Sequence, residues 1–164
     1  MGLKRSSLEA GHRRKFLVVV DDTPECDRAV VFAARRAEHT GGGLVLLHVI
    51  EDTDFRAFVG VGEVMRQQAN AAAETVLASV AERVLALAGI EAERVIREGA
   101  PAVEVVRHIE ADEDIAVLVL AAGIGSEGPG PLVTALAGRG AGAFPVPITI
   151  VPGHLSDVDI AAIA

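Results

Sequence analysis

The stretch from residue 115 to residue 140, IAVLVLAAGIGSEGPGPLVTALAGRG, limits the possible folds of this chain more than any other. It opens with a continuous apolar run, which is typical of a strand buried on both faces of a parallel sheet. Six glycines from Gly123 to Gly140 follow, and a helix is predicted to begin at Pro131. Backbone amides in such a loop can surround an anion such as a phosphate, and the helix dipole adds to this. The same glycines also suit a plain tight turn from strand to helix.

Length and composition narrow the function classes. A chain of 164 residues is long enough to bury the core of one domain. Its net charge of −8, with no Trp and no Tyr, argues against a nucleic-acid surface, because such a surface needs clustered Lys and Arg. No apolar run reaches the roughly 18–20 residues of a membrane span, and no secretory signal is visible. The single cysteine, Cys26, fits a reducing compartment, so we expect a cytoplasmic protein.

Predicted strands and helices alternate along the chain. The predicted strands cover residues 16–20, 44–50, 94–97, 115–121 and 147–151, with a helix between each pair. This alternation predicts a single-domain α/β sandwich of three layers, in which right-handed crossovers connect a five-stranded parallel sheet. Residues 1–14 are expected to be a disordered basic lead-in, residues 15–153 the domain, and residues 154–164 a C-terminal tail. A mobile surface loop is expected at residues 51–62.

Two acidic residues, Asp21 and Asp22, follow the first predicted strand and precede the first helix. Ligands of open parallel sheets bind beyond the carboxyl ends of the strands, so these residues and the glycine loop share one crevice if strands one and four are neighbours. A carboxylate there can accept hydrogen bonds from an adenine amino group or from ribose hydroxyls. This arrangement suits a nucleotide with its base and sugar near Asp21 and its phosphates near residues 126–130. The same acidic residues also suit helix-terminus electrostatics alone.

Several catalytic classes lack their required residues. A phosphoacceptor receiver domain needs an Asp after a later central strand and a Lys after the last strand, and this chain has neither. No G-x-S-x-G elbow follows a strand, which excludes an α/β hydrolase. His48 is predicted to be a packed core residue and Cys26 an inert residue on a helix face, and the other histidines lack metal-ligand spacing. The sequence therefore predicts no enzyme; Ser126 and Thr134 are the hydroxyls nearest the glycine loop for any slow ATP hydrolysis or autophosphorylation.

The order of five motifs resembles universal stress proteins over residues 15–153. The motifs are FLVVVDDTPE at residue 16, LVLLHVI at 44, REGAP at 97, the strand and glycine loop from 114, and PITIVP at 147. The resemblance implies an adenine nucleotide alpha hydrolase-like fold with strand order 3-2-1-4-5. It also implies a homodimer formed along the last strand, from Pro147 to Val151, and ATP as the ligand, with Mg²⁺ accompanying the nucleotide.

The glycine pattern of that family, G-x2-G-x9-G-[S/T], fits this loop in two registers. By spacing alone, Gly125, Gly128 and Gly138 match, but Arg139 stands where the family has a hydroxyl. Counted from the strand ends, the first glycine is Gly123 and the hydroxyl falls near Thr134; we favour this register because packing fixes strand ends. The resemblance places Asp21 and Val49 on the adenosine side of the nucleotide. The full set of residues that it implies as contacts is Val20, Asp21, Asp22, Val49, Ala122, Gly123, Gly125, Ser126, Gly128, Gly130, Val133 and Thr134.

Two functions remain open at this point. The first is a stress-protein-like regulator that binds ATP between strands one and four. The alternative is a dimeric stress-response interaction protein that binds no nucleotide. Glu127 favours the alternative because it would repel a phosphate, and Pro129 and Pro131 favour it because prolines stiffen the loop and remove amide donors.

Overall fold

Five parallel strands form one sheet in the structure, a computed structural model that describes residues 4–51 and 62–164. The sheet order is β3-β2-β1-β4-β5, with every neighbouring pair parallel. The strands are β1 Lys15–Val19, β2 Gly43–Ile50, β3 Glu93–Glu98, β4 Ile115–Ala122 and β5 Ile148–Pro152. The predicted α/β fold class and the strand order 3-2-1-4-5 are confirmed.

Helices cover both faces of the sheet. They are α1 Cys26–Thr40, α2 Gly62–Ala88, α3 Pro101–Ala111, α4 Pro131–Ala137 and α5 Asp157–Ile163. One core cluster packs α1, α2 and α5 on one face, and a second packs α3 and α4 on the other. Within the described ranges, no helix is long and apolar enough to cross a membrane. The expected mobile loop lies almost wholly outside the described residues, since 52–61 are not among them.

Strand β1 lies at the centre of the sheet and explains the apolar runs of the sequence. Leu17 packs towards α3 and α4, whereas Val18 packs towards α1 and α2, and neither has any exposed surface. A strand covered on both faces needs apolar residues at every position, so its sequence does not alternate. Burying each such side chain stabilises the fold by roughly 1.5–3 kcal/mol.

Helix α1 begins later than the sequence suggests. In the sequence, Thr23 followed by Pro24 is typical of a helix N-cap and a first helical position. Instead the helix begins at Cys26, and the hydroxyl of Thr23 donates to Asp21 Oδ1 at 2.5 Å. Thr23 is held in this local turn by Asp21, so its hydroxyl does not reach the free helix amides.

Residues 4–14 pack against the end of α3 and the start of β4, which differs from the disorder expected there. Arg5 Nη1 donates to the carbonyl oxygen of Ile109 at 2.7 Å and to that of Asp112 at 2.9 Å. The last carbonyls of a helix have no intrahelical partner, and their partial negative charge favours a cation. The basic residues had been interpreted as a solvated segment, but Arg5 anchors the segment through a contact that is distant in sequence.

The expected C-terminal tail contains helix α5. Ser156 accepts a hydrogen bond from the amide of Asp159 at 3.1 Å, and the Asp159 carboxylate accepts one from the Ser156 amide at 3.0 Å. This is a reciprocal capping box, and it fixes the helix start. Ile160 is fully buried against α1, so this segment is part of the packed molecule.

Candidate functional site

The carboxyl ends of β1 and β4 meet at a crevice with two parts. An inner cavity of about 30 Å³, roughly the volume of one water molecule, is lined by Asp21, Cys26 and Val133, among others. An outer groove of about 880 Å³ runs over the glycine loop and is lined by Gly123 and Glu127, among others. Because β1 and β4 are neighbours, the acidic turn and the glycine loop share one crevice, as the topology argument predicts.

Asp21, in the acidic turn after β1, lines the inner cavity. Oδ1 of Asp21 accepts hydrogen bonds from the Thr23 amide at 3.0 Å and from the Thr23 hydroxyl at 2.5 Å. No hydrogen bond to Oδ2 of Asp21 comes from the part of the chain that the structure describes. The turn therefore fixes the direction of the carboxylate and leaves one acceptor for a ligand donor.

The glycine loop, residues 123–130, is closed by its own backbone. The Gly123 amide donates to the Pro129 carbonyl at 3.0 Å, and the Gly128 amide donates to the Gly125 carbonyl at 3.3 Å. These two amides were expected to face an anion, but they are used inside the loop. Gly130 directly precedes α4 and has a φ of 112°. Residues with a side chain rarely adopt a φ in this range.

Helix α4 is short and begins at Pro131, as predicted. Its Thr134 hydroxyl donates to the Gly130 carbonyl at 2.9 Å, so this candidate phosphate contact already has a local partner. A Cβ at Gly138 would lie 2.5 Å from the Thr134 carbonyl oxygen. Gly138 thus has a packing role at the end of α4, which is compatible with the glycine register counted from the strand ends.

The expected contact residues divide into two groups. Seven of them line the crevice: Asp21, Gly123, Gly125, Gly128, Gly130, Val133 and Thr134. Five line neither the cavity nor the groove: Val20, Asp22, Val49, Ala122 and Ser126. The side chains of Val20 and Val49 are core residues on opposite faces of the sheet, and those of Asp22 and Ser126 are exposed to solvent.

Gly153 and Glu25 are among the residues that line the crevice and that the sequence did not predict as contacts. The Gly153 amide donates to the Ala122 carbonyl at 2.9 Å, and a Cβ at Gly153 would overlap that carbonyl oxygen. The Pro-Gly pair after the last strand was the available signal for this close approach. Glu25 is the N-cap residue of α1, yet its side chain caps no helix amide and lines both parts of the crevice. No sequence pattern distinguishes that orientation from an ordinary acidic residue at a helix start.

Neither Cys26 nor His48 provides a reactive group here. Burial raises the pKa of the Cys26 thiol to about 11, and the sulfur donates to the Val19 carbonyl at 3.6 Å. The thiol is therefore protonated at neutral pH and is a poor nucleophile. His48 Nδ1 donates to the Val20 carbonyl at 2.8 Å, which joins the ends of β2 and β1.

A separate cluster of titratable groups lies away from the crevice. His12, Glu113 and Asp114 offer ligand atoms close enough together for a metal ion. His12 Nδ1 donates to Asp114 Oδ1 at 2.6 Å, and this hydrogen bond raises the pKa of His12. The contact between His12 and Asp114 therefore attaches residues 4–14 to the start of β4.

The sheet order and the crevice define the class of protein. A parallel sheet of order 3-2-1-4-5, with a crevice where the strand order reverses, defines a doubly wound α/β domain. Ligands of this class of domain generally bind at that switch point. Within this class, the chain belongs to the universal stress protein family, whose sequence model matches residues 12–152. The predicted family is therefore confirmed.

Solved structures of the same family share the fold. Universal stress protein UspA from Lactobacillus plantarum has a TM-score of 0.65 at 17% identity, over 85% of this chain and 97% of that one. A universal stress protein in complex with cAMP has a TM-score of 0.58 at 16% identity, over 86% and 98%. The universal stress protein from Archaeoglobus fulgidus in complex with dAMP has a TM-score of 0.54 at 18% identity, over 84% and 97%. A search of the curated proteins finds no match.

Proposed function

We propose that this universal stress protein is a regulator that binds an adenine nucleotide in the crevice between β1 and β4, with ATP the form that the family resemblance implies. The observation that carries the proposal is the shared crevice, with the Asp21 carboxylate in its inner cavity and the glycine loop along its outer groove. The groove of about 880 Å³ falls in the range of roughly 300–1,000 Å³ that is usual for small-molecule sites. Two structurally similar family members are complexes with cAMP and dAMP.

The residues of the crevice suit the adenosine part of such a ligand better than its phosphates. The free oxygen of Asp21 suits an amino group or a ribose hydroxyl. The phosphate end is acidic, because Glu25 and Glu127 line the groove and no Lys or Arg of the described residues does. A Mg²⁺ ion that accompanied ATP would offset part of this charge, since carboxylate oxygens are ligands that Mg²⁺ accepts.

Calorimetric titration with AMP and with ATP, the latter with and without Mg²⁺, tests the proposal. We expect saturable binding that Asp21→Ala weakens by about tenfold or more, because a ligand hydrogen bond to a charged group is lost. The matched control is Asp22→Ala, which removes a neighbouring carboxylate that lines neither part of the crevice. Thermal unfolding of both variants separates ligand contact from the loss of the Thr23 hydrogen bonds. Absence of heat up to millimolar nucleotide, in protein free of copurified nucleotide, would contradict the proposal.

The alternative function, a dimeric interaction protein without a nucleotide, is favoured by one specific observation. The Gly123 amide donates to the Pro129 carbonyl at 3.0 Å, so the backbone of the loop itself uses an amide that would otherwise be available to an anion. Analysis of the nucleotide released when the purified protein is denatured discriminates the two functions. Released adenine nucleotide supports the regulator, whereas empty protein that also fails the titration supports the alternative.

We also propose that the chain forms a homodimer along β5 and acts in the cytoplasm. Strand β5 is at an edge of the sheet, and Ile150 on it is 41% exposed. An exposed apolar edge strand favours pairing with a second copy. The cytoplasmic location is proposed from Cys26, which is the single cysteine of the sequence and has no partner for an internal disulfide.

A further inference from the structure

The side chain of Glu25 lies where the inner cavity and the outer groove meet, and it lines both. It is half-buried, and it accepts no hydrogen bond from the residues that the structure describes. Acidic residues at a helix start commonly accept hydrogen bonds from free helix amides, but this carboxylate accepts none of them. Its orientation therefore needs a reason outside α1.

Three glycines surround this side chain. A Cβ at Gly123 would lie 3.1 Å from Glu25 Oε1, and a Cβ at Gly130 would lie 3.6 Å from the same oxygen. A Cβ at Gly153 would lie 3.3 Å from Glu25 Cβ. The Glu25 side chain thus packs against the open side of these glycines, and its carboxylate is closest to Gly123. Gly130 is also in the segment at which the phosphates of a nucleotide were expected, and Gly123 is one of the implied nucleotide contacts.

The charge of this space disfavours a second anion. Glu127, on the exposed loop, adds another carboxylate to the groove, and no Lys or Arg of the described chain lines it. Like charges at close range repel more strongly in a partly enclosed site than in bulk water, and the repulsion increases with the number of ligand charges.

We infer that Glu25 is a specificity-determining residue, whose carboxylate takes the place of a phosphate and makes the crevice prefer adenosine or an adenine monophosphate to a polyphosphate. The inference rests on the proposed function and refines it. Binding of ATP without Mg²⁺ has to displace this carboxylate or accept its repulsion. A ligand with fewer negative charges, such as adenosine or AMP, meets less repulsion from this carboxylate.

The test measures the affinities of adenosine, AMP and ATP, the last both without and with Mg²⁺, for the wild type, Glu25→Gln and Glu127→Gln. We expect the wild type to bind ATP more weakly than AMP. Glu25→Gln should raise the ATP affinity about tenfold or more, because it removes a half-buried negative charge beside the phosphates. The affinity for adenosine, which has no phosphate, should stay within about twofold. Glu127→Gln removes the same charge from an exposed position, where solvent screens it, so its effect on ATP should stay below about threefold.

Each outcome decides a distinct point. If Glu25→Gln changes no affinity, or changes all three equally, the inference is overturned while the binding of adenosine still supports the proposed function. If Glu25→Gln weakens the binding of ATP measured with Mg²⁺, the carboxylate acts as a metal ligand and the inference is also overturned. If only the variant binds ATP, the inference is supported. If neither protein binds any of the three, the proposed function fails and the inference fails with it.

Discussion

Gly99 lies between β3 and α3 in a conformation that few residues other than glycine adopt. Its φ is 144°, and its amide donates to the Ile50 carbonyl at 2.9 Å. The Glu104 side chain packs beside it, 4% exposed, and accepts hydrogen bonds from Arg97 at 2.8 Å and Arg107 at 2.7 Å. The Arg97 hydrogen bond, with that of Arg107, lowers the pKa of Glu104, so the carboxylate is charged and held in place at neutral pH.

We expect Gly99→Ala to reduce the free energy of unfolding by about 2–4 kcal/mol, measured by urea denaturation. The added Cβ would have an unfavourable φ and would lie 2.9 Å from Glu104 Oε1, which two arginines prevent from moving freely. The matched control is Gly142→Ala, where no atom lies within 4 Å of the added Cβ. That variant should change the free energy by less than about 0.5 kcal/mol. Equal effects in the two variants would contradict the steric explanation.

At the scale of single residues, the sequence predicted positions better than orientations. The sequence Gly99-Ala100-Pro101 is a local signal for a turn followed by a helix start, because Gly and Pro interrupt regular structure. The contact of Gly99 with Glu104, and the direction of the Glu25 side chain, depend on elements that meet only in the folded chain. The same limit applies to Val49, whose side chain lies in the core and lines no part of the crevice.

Strand β5 is the element from which a dimer is predicted. Sedimentation at micromolar concentration should show a dimer, and Ile150→Lys should raise its dissociation constant about tenfold or more, because a charge is introduced at the exposed edge. Val158→Lys is the control, since Val158 is 79% exposed on α5 rather than on β5. A monomeric wild type would contradict the dimer, and equal weakening by both variants would contradict its location at β5.

At the scale of elements, apolar runs predicted all five strands, and the helical patterns between them predicted the four crossover helices α1 to α4. The packing of residues 4–14 and of α5 was missed for two different reasons. Arg5 binds the end of α3 through a contact that no local pattern encodes. The capping box at Ser156 is a local signal that precedes an apolar residue, and it was available in the sequence.

At the scale of the whole molecule, the order of the strands places the crevice. Helix α1 and the glycine loop leave the sheet from neighbouring strands, β1 and β4, so their starts face each other across its edge. The alternation of strands and helices predicted this topology together with the family resemblance. The acidity of the phosphate end was predicted only in part, through Glu127, because Glu25 reaches it by packing against Gly153.

The location of nucleotide binding is measured most directly by the amide chemical shifts of ¹⁵N-labelled protein during titration with AMP. We expect the largest shift changes at residues 21–26, at residues 123–134 and at Gly153, because these segments line the crevice. Amides of α2 and of the edge strand β3 should stay unchanged, since those elements line neither the cavity nor the groove. Saturable changes confined to the crevice would establish it as the nucleotide site. No change up to millimolar AMP, or changes centred on β3 and α3, would contradict a site between β1 and β4.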